Sequence, residues 1–353
     1  MEVDQGFGLS DTVGIAAFPS GEAYKVGKSV PYLRLQRLFF RQSFDLGGEP
    51  EKLDSAANQL AGTRTADNLV ITAGKFSVTD IFDSNSYAHD PKADFMNWAV
   101  IDSGGFDYAA DAWGYSYGLA AEWNTGPWSL RAGLFDLSKV PNTTELETDF
   151  RQFELVAELE RRYALGDRDG KIRLLGFVNR GDMADYRDAT ALAVATDMPA
   201  DVALVRHYRS RPGAALNIEQ SLSADLGAFL RASLNDGSKE TYEFTDMQRS
   251  LAVGLSLKGT SWQREDDTIG LAVETSAISQ AARTYFDHGG LGLLVGDGQL
   301  SHYRDEAIAE TYYDVAVGNG VNLAADYQFV ANPAYNADRG PISVLGFRLH
   351  TAL

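Results

Sequence analysis

YSYGLAAEWNTGPWSLRAGLF, residues 115–135, is the stretch on which the fold turns. Tyr115, Tyr117, Leu119, Ala121 and Trp123 fall on one face of an extended chain. Ser116, Gly118, Ala120, Glu122 and Asn124 fall on the other. Thr125, Gly126 and Pro127 make a short connection, after which Trp128, Leu130, Ala132 and Leu134 alternate with Ser129, Arg131, Gly133 and Phe135. A period of two on both sides of a turn is a β-hairpin with one apolar and one mostly polar face.

The pattern recurs along the chain. Leu155, Ala157 and Leu159 oppose Glu154, Glu158 and Glu160, and Ile172 and Leu174 oppose Lys171 and Arg173. Leu226, Ala228, Leu230, Ala232 and Leu234 oppose Gly227, Arg231 and Ser233. Leu251, Val253, Leu255 and Leu257 oppose Ser250, Gly254 and Ser256. With weaker candidates at 10–18, 32–46, 68–77 and 307–317, about fourteen strands are visible, most near ten residues long. Ten residues tilted by ~40° span about 25 Å, the apolar height of an outer-membrane barrel. Strands of a soluble sandwich are nearer five or six residues. Short turns alternate with long segments at 47–67, 77–113, 181–211 and 278–306, as in a barrel with one rim of turns and one of loops. The reading is all-β: residues 1–353 as one transmembrane, antiparallel, up-and-down β-barrel. A soluble β-rich carbohydrate-binding protein is the alternative.

Composition narrows the function. The 353 residues carry 31 Lys+Arg against 49 Asp+Glu, a formal net charge of −18. That excludes the basic face that nucleic acid requires. With no cysteine there is no disulfide, thiolate ligand or thiol nucleophile. No run approaches the ~20 apolar residues of a membrane helix. The five histidines, at 89, 207, 288, 302 and 350, lack metal-ligand spacing. The sequence implies no catalytic residue, metal or cofactor.

The run GKFSVTDIFDSNSYAHDPKADFMNWA, Gly74 to Ala99, resembles the signature of the carbohydrate-selective porins, the OprB family. The likeness continues in 126–135, 174–180, 266–272, 289–292, 309–313 and 326–341, so it covers essentially the whole chain. It implies a sixteen-stranded barrel in the bacterial outer membrane that passes glucose, other monosaccharides and small oligosaccharides by diffusion. Monomer and homo-oligomer both stay open. Two departures from the family stand out. No signal peptide precedes the segment matching Gly6 to Leu9, and the chain ends in Leu353 rather than an aromatic residue. With fewer strands visible than the family has, N-terminal strands are expected to be missing, leaving a gap or a strained closure.

Pore-lining candidates follow from parity. Arg37 and Arg41 share the polar face of the 32–46 strand, with a bulge expected near Gln36 because Leu33 and Leu35 have the opposite parity to Leu38 and Phe40. Lys75, Arg131, Arg173 and Arg231 lie on polar faces with Glu122, Glu154, Glu158, Glu219 and Glu274. Guanidinium and carboxylate together can replace a sugar's hydration shell, or simply neutralise each other across a wet lumen. Residues 79–113 are about 35 long, uncommon for a loop without a function, and are expected to fold inward and narrow the pore. Their Asp83, Asn85, His89 and Asp90 offer hydrogen bonds. Their aromatics, Tyr87, Phe95, Trp98, Phe106, Tyr108 and Trp113, offer a stacking surface or pack the loop onto the wall. Tyr115, Trp123 and Trp128 are read as an interfacial girdle on the lipid face. A chain of this kind should need detergent for solubility and migrate differently on gels with and without heating; solubility in plain buffer with heat-independent migration would favour the soluble alternative.

Overall fold

Alternation becomes a sheet in which every strand pairs with its sequence neighbour. The computed structural model describes residues 2–6, 14–21, 27–56, 58–243, 246–318 and 320–352. After β1 (Glu2–Gly6) and β2 (Lys28–Arg34) come β3 (Leu38–Leu53), β4 (Gly62–Phe76), β5 (Ser116–Thr125) and β6 (Trp128–Asp136). Next are β7 (Phe153–Leu165), β8 (Arg168–Met183), β9 (His207–Ser221), β10 (Leu226–Asn235) and β11 (Arg249–Gly259). The last are β12 (Arg264–Ala277), β13 (Glu306–Gly318), β14 (Val321–Ala331) and β15 (Ile342–Thr351). Strands β3 to β15 form one thirteen-stranded sheet in sequence order, and β1 pairs with β2 in a separate two-stranded ladder. The edges of the large sheet, β3 and β15, are not paired with each other. No described helix is long and apolar enough to cross a membrane.

The hairpin read first holds its register, with Glu122 opposite Arg131 and Trp123 opposite Leu130. Its Leu119, Trp123 and Leu130 are exposed, whereas Ser116, Gly118, Ala120, Ser129, Arg131 and Phe135 are buried. An exposed apolar face and a buried polar one invert the arrangement of a water-soluble sheet. The same inversion runs through β10, where Arg231 is 1% exposed and Leu234 58%.

Four sequence expectations need correction. The segment 47–67 is not a long loop: β3 continues to Leu53 and β4 starts at Gly62. Register shifts around Gly47, which with Gly48 has positive φ, break the period of two and hide the continuing strand. The candidate strand at 10–18 is not one where it is described. Residues 15–18 are buried under the long loops, with the Ala16 and Ala17 amides donating to Glu306 at 2.9 and 2.8 Å; residues 10–13 lie outside the described residues. Tyr115 is buried rather than on the outer girdle. The chain leaves the sheet before Ser116, and a turn held by Asp111 points Tyr115 inward. The bulge expected near Gln36 is instead a full break: residues 35–37 separate β2 from β3, which lie in different sheets, and Leu35 and Leu38 are both exposed across it.

One rim carries short turns and the other long connections at 77–115, 137–152, 184–206, 236–248, 278–305 and 332–341. Two of these contain α-helices of two turns or more, α2 (Tyr186–Thr196) and α3 (Gln280–Asp287), capped by Asp185 and Ser279. They meet through Tyr186 and Tyr285, ring centroids 4.9 Å apart, over Ile15, Met247, Ile278, Phe286 and Tyr335. This apolar cluster makes the long loops a packed cap over part of the mouth.

The outward row of β10 and β11 fixes a test. Leu230→Arg at mid-strand should cost ~2–4 kcal/mol at a bilayer midplane. Folding titrations into lipid vesicles check it, and equal stability of variant and wild type would place that row away from hydrocarbon.

Candidate pore constriction

The connection between β4 and β5 turns inward, and every residue from Ala99 to Ala112 is buried. Backbone removed from water needs partners, and an irregular segment cannot supply them all itself. Here the inward side chains of the sheet do so. From β7, Glu158 accepts from the Asp83 amide at 2.8 Å and Glu154 from the Ala109 amide at 3.2 Å. From β9, Asn217 bonds the Asn85 side chain at 2.8 Å and Glu219 accepts from the Ser86 amide at 2.8 Å. From β10, Arg231 donates to the carbonyls of Ala88, Val100 and Asp83 at 2.6, 2.8 and 2.9 Å. From β13, Glu310 accepts from the Met96 amide at 2.5 Å. From β15, Arg348 donates to the carbonyls of Pro91 and Asp94 at 2.6 and 2.9 Å. One loop anchored to strands from β7 to β15 requires the sheet to curl around it. A short helix, α1 (Trp98–Ile101), lies inside the segment, capped by Asn97.

Apolar contacts complete the seat. Phe95 packs edge-on against Phe229 and Tyr312, and Phe106 against Phe177. Tyr87 lies over Gly227, where a Cβ would meet its ring.

Between this loop and the start of β3 is a cavity of about 320 Å³. Arg37, Asp80, His89, Asp90, Lys92 and Asp102 contribute charge and hydrogen-bonding groups. Trp98, Tyr108, Trp113 and Tyr115 contribute aromatic surface. Asp80 accepts two bonds from Arg37, at 2.8 and 2.7 Å, and the Arg37 guanidinium lies 4.9 Å from the Tyr115 ring. Arg34 lies over Trp113 at 3.4 Å. Trp98 is held by its indole N–H on the Ser20 carbonyl at 2.9 Å and by edge contact with Phe18. Burial and the nearby Asp83 charge push the Asp102 carboxyl up to about 7. Burial and the Arg231 charge lower the basicity of His89. Lys92 also lines a second, polar hollow of about 410 Å³ at the short-turn rim, so it stands where the two spaces meet.

Of the residues singled out from sequence, Arg37, His89, Asp90 and Trp98 come together in this cavity. Asp83, Asn85, Glu154, Glu158, Glu219 and Arg231 instead join the loop to the wall. Lys75 is buried against Asp111 at 2.8 Å. Arg41 faces Thr72 and Phe39, outside the cavity lining. Glu122, Arg131 and Arg173 belong to a chain of ion pairs with Glu158, Glu160 and Glu219 across β5 to β9. Glu274 is buried on β12, opposite Ala252 and Ile308. Sequence reasoning missed Asp80 and Asp102, which no parity rule marks inside a loop, and misplaced Tyr115.

The model of the OprB family, carbohydrate-selective porins, matches residues 1–353. The chain belongs to that family. It is therefore an outer-membrane porin and not a soluble sugar-binding protein. A solved structure similar to it is that of Pseudomonas putida OprB at high pH, with TM-score 0.64 and 19% identity over 80% of this chain and 69% of that one. The low-pH structure of the same protein matches at TM-score 0.45, 16% identity, 82% and 68%. The outer-membrane channel DcaP of Acinetobacter baumannii matches at 0.42, 11%, 94% and 88%. The first of these shares the barrel fold with this chain. The search of curated proteins finds no match.

If the loop narrows this porin, releasing it should widen the channel. Arg231→Met removes the ion pair with Asp83 and leaves the Ala88 and Val100 carbonyls without its donors, at a cost of about 3–5 kcal/mol for a broken buried pair. Single-channel conductance should rise in the variant; an unchanged conductance would mean the segment does not set the pore width.

Proposed function

We propose that this porin passes monosaccharides and short linear oligosaccharides, glucose among them, and that the cavity beside Arg37 and Trp98 is where a sugar ring exchanges water for protein. The observation that carries this reading is the cavity's mixture of walls. Aromatic faces suit the C–H surface of a pyranose, while guanidinium, carboxylate and imidazole suit its hydroxyls. Its volume lies at the small end of the ~300–1,000 Å³ usual for ligand pockets, which fits one ring at a time. Because Asp80 and Arg37 already neutralise each other, a neutral solute displaces little electrostatic energy on entering. Binding of this kind stays weak, and a channel needs weak binding to release what it takes up. The outward apolar band is read as the surface facing lipid hydrocarbon.

Liposome swelling with sugars of graded size tests the reading. Trp98→Ala should slow glucose entry several-fold more than entry of a size-matched neutral polymer. Equal effects on both solutes would make Trp98 a determinant of width alone, and no effect on either would move the sugar contact elsewhere.

A further inference from the structure

One end of the cavity is poor in donors. Asp102 sits just after α1, with its side chain 12% exposed and its Oδ1 3.8 Å from Nδ1 of His89. That Nδ1 is buried and has no hydrogen-bond partner among the described residues. Asp102 receives one long bond, from the Tyr108 hydroxyl at 3.3 Å. The nearest guanidinium, Arg231, already donates to three carbonyls and faces Asp83 at 3.5 Å. The other carboxylates of the cavity have cations of their own, Asp80 with Arg37 and Asp90 with Lys92. A nearly buried carboxylate with one long hydrogen bond, and with Asp83 behind it, wants a cationic donor.

We infer that the Asp102–His89 end of the cavity takes the ammonium group of a protonated amino sugar, with the sugar ring along Trp98 and Tyr108. This rests on the sugar-site reading above and sharpens it: among sugars of equal size, the channel prefers the one bearing an ammonium group. An ammonium there donates to Asp102 in a charge-assisted hydrogen bond. It also relieves the penalty that burial and Asp83 impose on the Asp102 carboxylate, because an adjacent cation favours the charged form. The remaining hydroxyls meet Arg37 and Asp80 as those of a neutral sugar would.

The test is block of ion current through the full chain in planar bilayers near neutral pH, titrated with glucosamine, glucose and N-acetylglucosamine. Wild type should be half-blocked by glucosamine at a concentration about tenfold lower than by glucose, the scale of one charge-assisted hydrogen bond. N-acetylglucosamine, whose amide carries no charge, should behave like glucose. Asp102→Asn should bring the ratio near one, and Asp102→Glu should keep it above one; both are checked for heat-modifiable migration. A wild-type ratio of one overturns the inference, as does a ratio that survives Asp102→Asn. So does an equal fall in the ratio with Asp225→Asn, at the short-turn rim, because a general acidic field would then explain it. If neither glucose nor glucosamine blocks wild type, the sugar-site reading itself fails; if both block equally, only the amine preference fails.

Discussion

The backbone of a long loop lies inside this barrel, away from water, and the side chains that satisfy it come from the wall. A buried amide or carbonyl without a partner costs about 1–3 kcal/mol. The inward faces of β7, β9, β10, β13 and β15 therefore carry Glu, Asn and Arg at the heights where loop N–H and C=O groups arrive. Carboxylates receive amides and guanidinium groups receive carbonyls, so the loop's path is fixed by the order of charges on the wall. What remains open is the volume those bonds leave free, and the cavity beside β3 is part of that remainder.

This explains how much of the site could be read from sequence. Parity along each strand is a local property, and it puts Arg131, Arg231, Glu158 and Glu219 on the polar faces of their strands, where all four are buried. What a residue meets across the lumen is not local. Arg231 and Arg37 look alike in sequence, a cation on the polar side of a strand, yet one is buried against carbonyls of Ala88 and Val100 and the other borders the cavity. Tyr115 shows the same limit from the other side. It continues the alternation of Tyr117 and Leu119, but the sheet ends before it, and Asp111 fixes the last turn so that the ring faces in. The long loop announced itself by length and by aromatic and amide content, which is why His89, Asp90 and Trp98 were legible. Asp102 was not, because its character comes from burial beside Asp83 and not from a motif.

The fold was legible where strands are regular and obscure where they are bent. Gly47 and Gly48 carry positive φ and shift the register of β3 against β4, so a long strand reads as a loop. Near Gln36 the opposite happens: the parity of Leu33 and Leu35 fails to match that of Leu38, and the mismatch itself reveals the break. A bulge costs one residue of alternation and leaves both halves recognisable, whereas two glycines together erase the apolar signal as well as the phase.

Cap and loop act together on the geometry of the opening. The segment 14–21 lies between them: Glu306 takes the Ala16, Ala17 and Ala334 amides, while the Phe18 and Ser20 carbonyls take the Trp98 backbone and indole N–H groups. One carboxylate therefore ties this segment to the cap, and the segment in turn sets the angle of Trp98 at the cavity. α2 and α3 pack together over the apolar cluster beneath them and cover part of the mouth. The cavity instead lies against the start of β3 and the end of the loop near β5. Arg37, Asp80 and the aromatic walls line that cavity, and Lys92 also lines the polar hollow at the short-turn rim. Narrowing the route by an anchored loop, and not by a smaller barrel, leaves contact chemistry and pore width under the control of different residues.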